Sequence, residues 1–129
     1  MPKLAEAALR VGLSTPWECR RLTGDEIDRA LGLTYDPEPR VRQAALMNLC
    51  PCRLLADVPE VWERVFELAK DPDPKVRGQV VHTLIDGSPK RLEERAIATL
   101  QGMRHDPRAR RGIRQLLARY RRTGRLNHH

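Results

Sequence analysis

The residues of this chain best placed to do chemistry are arginines. Between Arg104 and Arg125 stand nine of them (104, 108, 110, 111, 114, 119, 121, 122 and 125) against a single acid, Asp106. That segment carries +8, whereas 15 basic and 16 acidic residues leave the rest of the 129-residue chain at −1, for a net charge of +7. A guanidinium stays charged at any physiological pH, so the chemistry on offer is recognition, with planar forked donors that match carboxylate or phosphate. On one helix Arg111, Arg114, Arg121 and Arg122 fall near one face, with Arg125 just beyond. With Arg108 and Arg119 they make a candidate patch for an acidic protein surface or for nucleic-acid phosphates. The competing reading is a solvated polar cap, although caps usually mix signs and this one does not. Tyr120 alone is available for base stacking, which argues against a groove for stacked single strands.

Other chemistry is thinner. Cys50-Pro51-Cys52 has one residue between its cysteines, and Cys19 stands apart. Zinc sites space their cysteines by two to four residues and take four ligands; His82, 35 residues after Met47, is the available fourth. The balance favours Cys50 as a core residue, Pro51 as a helix stop and Cys52 in a loop, with no metal and no cofactor. A redox pair would need two intervening residues. His82 and Asp86-Gly87-Ser88-Pro89 hold the residue types of a triad. A helix ending at Gly87 and another starting at Ser88-Pro89 account for them without catalysis. The expectation is a protein that is not an enzyme.

The elements that position these residues are helices. Aromatics are 4% of the chain, and Leu, Ala, Arg and Glu dominate. Start and stop signals predict a helix over 2–11, a short one from Pro16 and Trp17 to Leu22, and a third opened by the capping-box string Thr23-Gly24-Asp25-Glu26. Longer helices follow over 38–50, 58–69 (capped by Asp57-Val58-Pro59), 74–86, 89–104 and 107–120, with apolar residues at helical spacing in each. No stretch reaches the roughly 18 apolar residues of a membrane span, the start lacks a signal-peptide core, and three cysteines form no disulfide framework. A soluble cytoplasmic protein is expected, with no membrane partner.

The helices repeat. Asp-Pro-Glu-Pro-Arg-Val-Arg at Asp36 to Arg42 returns as Asp-Pro-Asp-Pro-Lys-Val-Arg at Asp71 to Arg77, and Asp-Pro-Arg-Ala-Arg runs from Asp106 to Arg110. Aligned on Pro39, Pro74 and Pro107, the periods are 35 and 33 residues, the mark of an array of supersecondary units. Asp can cap free amides and proline fixes φ where a helix needs no donor, so the turns are short and stiff. No helix pair buries its apolar face alone, so pairs must stack.

The Asp-Pro-x-Pro-x-Val-Arg turn, with apolar residues four and eight after the Val (Ala45 and Leu49; Val80 and Leu84), resembles the HEAT repeat over about residues 24–121. The chain is also similar to small bacterial HEAT-repeat proteins with an Arg-Arg-Thr-Gly tail, here Arg121 to Gly124. The resemblance implies an all-α, right-handed α-solenoid of about three helix pairs. An N-terminal cap would fill 1–22, repeats 23–53, 54–87 and 88–122, and a tail 123–129. It implies that Arg42, Arg77 and Arg110 pair with turn carboxylates of a neighbouring unit, Asp36 and Asp71, in a structural ladder. Alkylpurine glycosylases can be built from such helices, but neither Trp17 nor Trp62 stands beside an acid in their pattern. The function expected is a non-catalytic interaction module for a protein partner, the alternative being phosphate-backbone binding through the last repeat. Three repeats are near the lower limit for an array, so a monomer or weak dimer is expected.

Overall fold

The computed structural model describes residues 2–13, 21–54, 57–107 and 109–126. Within them the chain is helical and holds no strand. The helices are α1 (Pro2–Arg10), α2 (Gly24–Leu33), α3 (Pro39–Asn48), α4 (Pro51–Leu54), α5 (Pro59–Leu68), α6 (Pro74–Gly87), α7 (Glu93–Gly102) and α8 (Arg110–Thr123). A 3-10 turn over Lys90–Leu92 leads into α7. The pairs α2–α3, α5–α6 and α7–α8 pack within themselves, α3 lies on α6, and α1 lies on α3. The result is an α-solenoid with α1 as an extra layer before the first pair. Among the described residues no helix is long and apolar enough to cross a membrane.

Local chemistry sets the helix starts. Thr23 Oγ1 accepts from the Glu26 amide at 3.2 Å while Glu26 Oε1 accepts from the Thr23 amide at 2.9 Å, the reciprocal capping box. Asp73 caps α6 by accepting from the amides of Lys75 at 2.9 Å and Val76 at 3.1 Å. Prolines open α3, α5 and α6, where a missing donor costs nothing. Two sequence expectations change. Pro51 does not lead into a loop but starts α4, whose helical backbone includes Cys52. Asp57 does not cap α5: Val58 holds the cap position, and the Asp57 carboxylate is bound elsewhere. The short helix expected before Leu22 falls on residues 14–20, outside the described residues, with Trp17 and Cys19.

The core follows the helical stripes. Val41, Ala44, Ala45 and Leu46 on α3 are fully buried, as are Val65 on α5, Val76, Val80 and Leu84 on α6, and Ile113 on α8. Leu4 and Ala8 form the buried face of α1, and Leu9 points outward at 64% exposure.

What fixes one unit on the next is a set of arginines. Arg42 grips Asp71 with two parallel bonds, Nε to Oδ2 at 2.9 Å and Nη2 to Oδ1 at 3.1 Å. Its Nη1 donates to the carbonyls of Asp36 and Pro37 at 2.9 and 3.1 Å. Arg77 repeats the arrangement one unit on, with Nε to Asp106 Oδ2 at 2.7 Å and Nη1 to the carbonyls of Asp71 and Pro72 at 2.8 and 3.1 Å. Each arginine is thus clasped by its own turn and reaches forward to the next turn's aspartate. Asp36 enters through its carbonyl, its carboxylate accepting instead from the Glu38 amide at 2.9 Å. Asp106, absent from the expected ladder, is the forward acceptor of the second rung. Arg110 is exposed and makes no such bond among the described residues.

Outer braces join the same neighbours. Arg40 pairs with Asp73 at 2.6 Å, and Arg10 with Glu38. Arg91 holds Asp57 at 2.6 and 2.8 Å; Arg95 holds Glu63 at 2.6 and 2.9 Å while lying 4.2 Å over the Phe66 ring. Arg64 donates to Thr34 and lies 3.6 Å over the Tyr35 ring.

Asp71 is 8% exposed, so removing it leaves the Arg42 charge without its forked partner in a dry turn. Asp71→Ala should lower unfolding stability by about 3–5 kcal/mol in urea titrations. Asp57→Ala, which breaks an exposed pair, should leave the midpoint nearly unchanged.

Candidate functional site

The last helix pair encloses a groove of about 550 Å³. Its floor is apolar, from Ile97 on α7 and Leu117 and Tyr120 on α8; Gln101 adds an amide. Its rim is cationic: Arg104 and His105 come from the α7–α8 turn, and Arg110, Arg114 and Arg121 from α8. Positions 110, 114, 117 and 121 repeat at helical spacing, so one face of α8 supplies three guanidinium groups and the leucine between them. Among the described residues, none of Arg104, Arg110, Arg114 and Arg121 is in an ion pair with a carboxylate. The one acid of the segment, Asp106, is held by Arg77.

The arginines grouped by sequence therefore separate. Arg114 and Arg121 line the groove, joined by Arg110 from the expected ladder, by Arg104 of the basic segment and by His105. Arg111 and Arg122 are exposed on α8 outside the groove lining. Arg119 has an internal role, its Nη2 donating to the Leu126 carbonyl at 2.6 Å. Arg125 borders a separate hollow with Lys90, Glu93 and Gly124. Arg108 lies outside the described residues.

Past α8 the described chain folds back. Gly124, at φ 70, takes the left-handed conformation that ends α8, and its amide donates to the Tyr120 carbonyl at 2.7 Å. The chain then reverses so that Leu126 is fully buried, with its amide 3.4 Å from Glu93 Oε2 at the start of α7.

The charge surrounding this end changes sign along the array. A hollow between α2 and α5 is lined by Asp28, Glu60, Glu63 and Glu67 around Leu31 and Tyr35, with Arg64 as its one cation. The excess of positive charge lies in the last pair.

A second cluster forms where α3 gives way to α4. Cys50 is buried, and its Sγ donates to Asp86 Oδ2 at 3.2 Å. His82, one turn before Asp86 on α6, completes a group whose ligand atoms all lie within 4.8 Å of one another. The sequence reading paired the cysteines with His82 as ligands and weighed Asp86 only as part of a triad with His82 and Ser88; the repeat period that aligns His82 with Met47 was the signal that α6 runs beside α3. Ser88 is buried past the end of α6, and Trp62 is buried in the core.

The family model described as HEAT repeats matches residues 28–118 of the chain. No curated protein and no solved structure matches it.

Three carboxyl groups are held below their ordinary range. Hydrogen bonds from Arg91 hold Asp57 down, and those from Arg95 hold Glu63 down. Burial works to raise Asp73, but hydrogen bonds from Arg40 and from the amides of Val76 and Lys75 together outweigh it. A depressed folded-state pKa gives stability that is fully present above the unfolded value and lost as pH falls through the folded one. Thermal stability should therefore hold above about pH 5 and decline below about pH 4, the ordinary carboxylate range. Asp73→Ala, which also removes the α6 cap, should cost about 1–2 kcal/mol at neutral pH and flatten part of that acid decline in melts recorded from pH 7 to 3.

Proposed function

The chain belongs to the HEAT-repeat family, and on that premise we propose that it is a non-catalytic interaction module whose docking site is the arginine-rimmed groove between α7 and α8. The observation that carries the proposal is four arginines without carboxylate partners, set around a floor of Ile97, Leu117 and Tyr120. A guanidinium with no carboxylate partner among the described residues is available to a ligand, and its forked donors suit carboxylates; Arg104 gives up one donor, to the Gln101 carbonyl at 3.2 Å. The apolar floor adds buried area for a side chain between the acids, as at the centre of protein interfaces. The fitting partner is a short acidic protein segment carrying an apolar anchor.

Phosphate-backbone binding is the second reading, favoured by the exposed Arg111, Arg122 and Arg125 that continue the charge beyond the groove. A long polyanion, however, would run onto the acidic hollow of α2 and α5, where Asp28, Glu60 and Glu67 repel it. A peptide confined to the last pair meets no such barrier.

A fluorescent peptide of alternating glutamates around one leucine, and a generic DNA duplex, separate the two by anisotropy. The peptide should bind with moderate salt dependence, and Arg110→Ala/Arg114→Ala/Arg121→Ala should weaken it by about tenfold or more, roughly 0.5 kcal/mol for each pair lost. Circular dichroism of the triple variant should be unchanged, since all three side chains are exposed. Tighter binding to the duplex, with a steep salt slope and loss on Arg111→Ala/Arg122→Ala, would establish the phosphate reading instead. Binding to neither probe at low salt would overturn both.

A further inference from the structure

We infer that Cys50, His82 and Asp86 form a binding site for a divalent transition metal of the zinc class, separate from the groove, that clips the first repeat to the second. The three side chains are the three ligand types that zinc takes from proteins. They come from two units: Cys50 ends the α3 segment, and His82 and Asp86 lie one turn apart on the same face of α6. All their ligand atoms lie within 4.8 Å of one another, and the Cys50 sulfur is 3.2 Å from Asp86 Oδ2. Around a tetrahedral zinc with bonds of about 2.0–2.3 Å, ligand atoms sit roughly 3.3–3.8 Å apart, so the group needs only small side-chain rotations to close on an ion.

Backbone geometry holds this arrangement in place. At Gly87 a Cβ would stand 2.9 Å from Pro51 Cβ, so the end of α6 meets the start of α4 as closely as only glycine allows. That approach sets Cys50, the residue before Pro51, against the last turns of α6. The donor set also selects the ion. Sulfur and imidazole disfavour magnesium and calcium, which prefer all-oxygen shells, and favour zinc or its neighbours.

Charge supplies the next argument. A thiolate and a carboxylate at this distance repel, but together they neutralise a dication, with neutral imidazole as third ligand. The same carboxylate makes a nucleophilic role for the sulfur unattractive, since attack needs a thiolate in an electropositive setting. Cys50 is buried while His82 and Asp86 are exposed, so an ion enters from the solvent side and seats against the sulfur. Three protein ligands leave one tetrahedral position for water or another donor.

The test uses the full chain, stripped with chelator and titrated with cobalt(II) and then zinc(II). One equivalent of cobalt should bind, with a sulfur-to-cobalt charge-transfer band and the visible bands of a tetrahedral ion, and zinc should bleach both. Zinc should raise the melting temperature of the wild-type chain. His82→Ala and Asp86→Ala change exposed positions and should keep their helicity, yet lose the bands. Each should weaken metal binding by more than the about 10–100-fold that loss of an outer-shell partner costs. Cys50→Ser should abolish the charge-transfer band specifically. Absence of a one-to-one cobalt complex in the folded wild-type chain would overturn the inference. So would cobalt spectra that survive unchanged in both the His82 and the Asp86 variants.

Discussion

Every unit of this array is fixed to the next by an arginine that its own turn holds in place. The carbonyls of Asp36 and Pro37 orient Arg42, those of Asp71 and Pro72 orient Arg77, and each guanidinium then delivers its remaining donors to an aspartate one unit ahead. Apolar stripes alone would let helix pairs slide, because hydrophobic contact is not directional. A forked ion pair at a proline-stiffened turn is directional. Charge burial contributes little net stability, but a mismatched register leaves an uncompensated charge, and that is expensive. The ladder is thus a device for register more than for strength.

The groove between α7 and α8 follows from the same rule applied at its limit. Asp106, the one acid among the arginines of the last unit, is bound by Arg77 of the unit before it. Arg110 stands at the position that Arg42 and Arg77 hold in the earlier units, and it faces the groove with Arg114 and Arg121. The excess charge of the last unit is concentrated there by geometry as well as by composition. Upstream, Asp57, Glu63 and Asp73 each hold an arginine from a neighbouring unit.

Much of the fold was legible in the sequence because turn chemistry and helical periodicity are local. Asp73, Thr23 and the opening prolines act within three residues of themselves, and the stripes of α3, α5 and α6 point inward as their spacing predicts. What the sequence hid were choices among equivalent partners. Aligning the units on their prolines gave periods of 35 and 33 and obscured that Asp36, Asp71 and Asp106 are spaced by 35 throughout, which is the register the rungs obey. The basic segment likewise read as one patch. Its division into groove, surface and internal hydrogen bonds depends on which side of α8 packs against α7, and nine arginines do not reveal that in one dimension. Asp86 was missed as a ligand for a related reason: it lies 36 residues from Cys50 and is brought beside it only by the stacking of α6 on α3.

Linear arrays tend to open from their ends, one turn at a time, since terminal helices have a neighbour on one side only. The fold-back after Gly124 alters that for α8. Leu126 is buried, its carbonyl is held by Arg119 from the penultimate turn, and its amide approaches Glu93 at the first turn of α7. Unwinding α8 from its C-terminal turn must first extract this leucine and release a contact to the opposite end of the pair. Fraying, ordinarily gradual, becomes a threshold event in which the last pair opens together or stays shut. The cationic rim that lines α8 is therefore kept on a stiff helix.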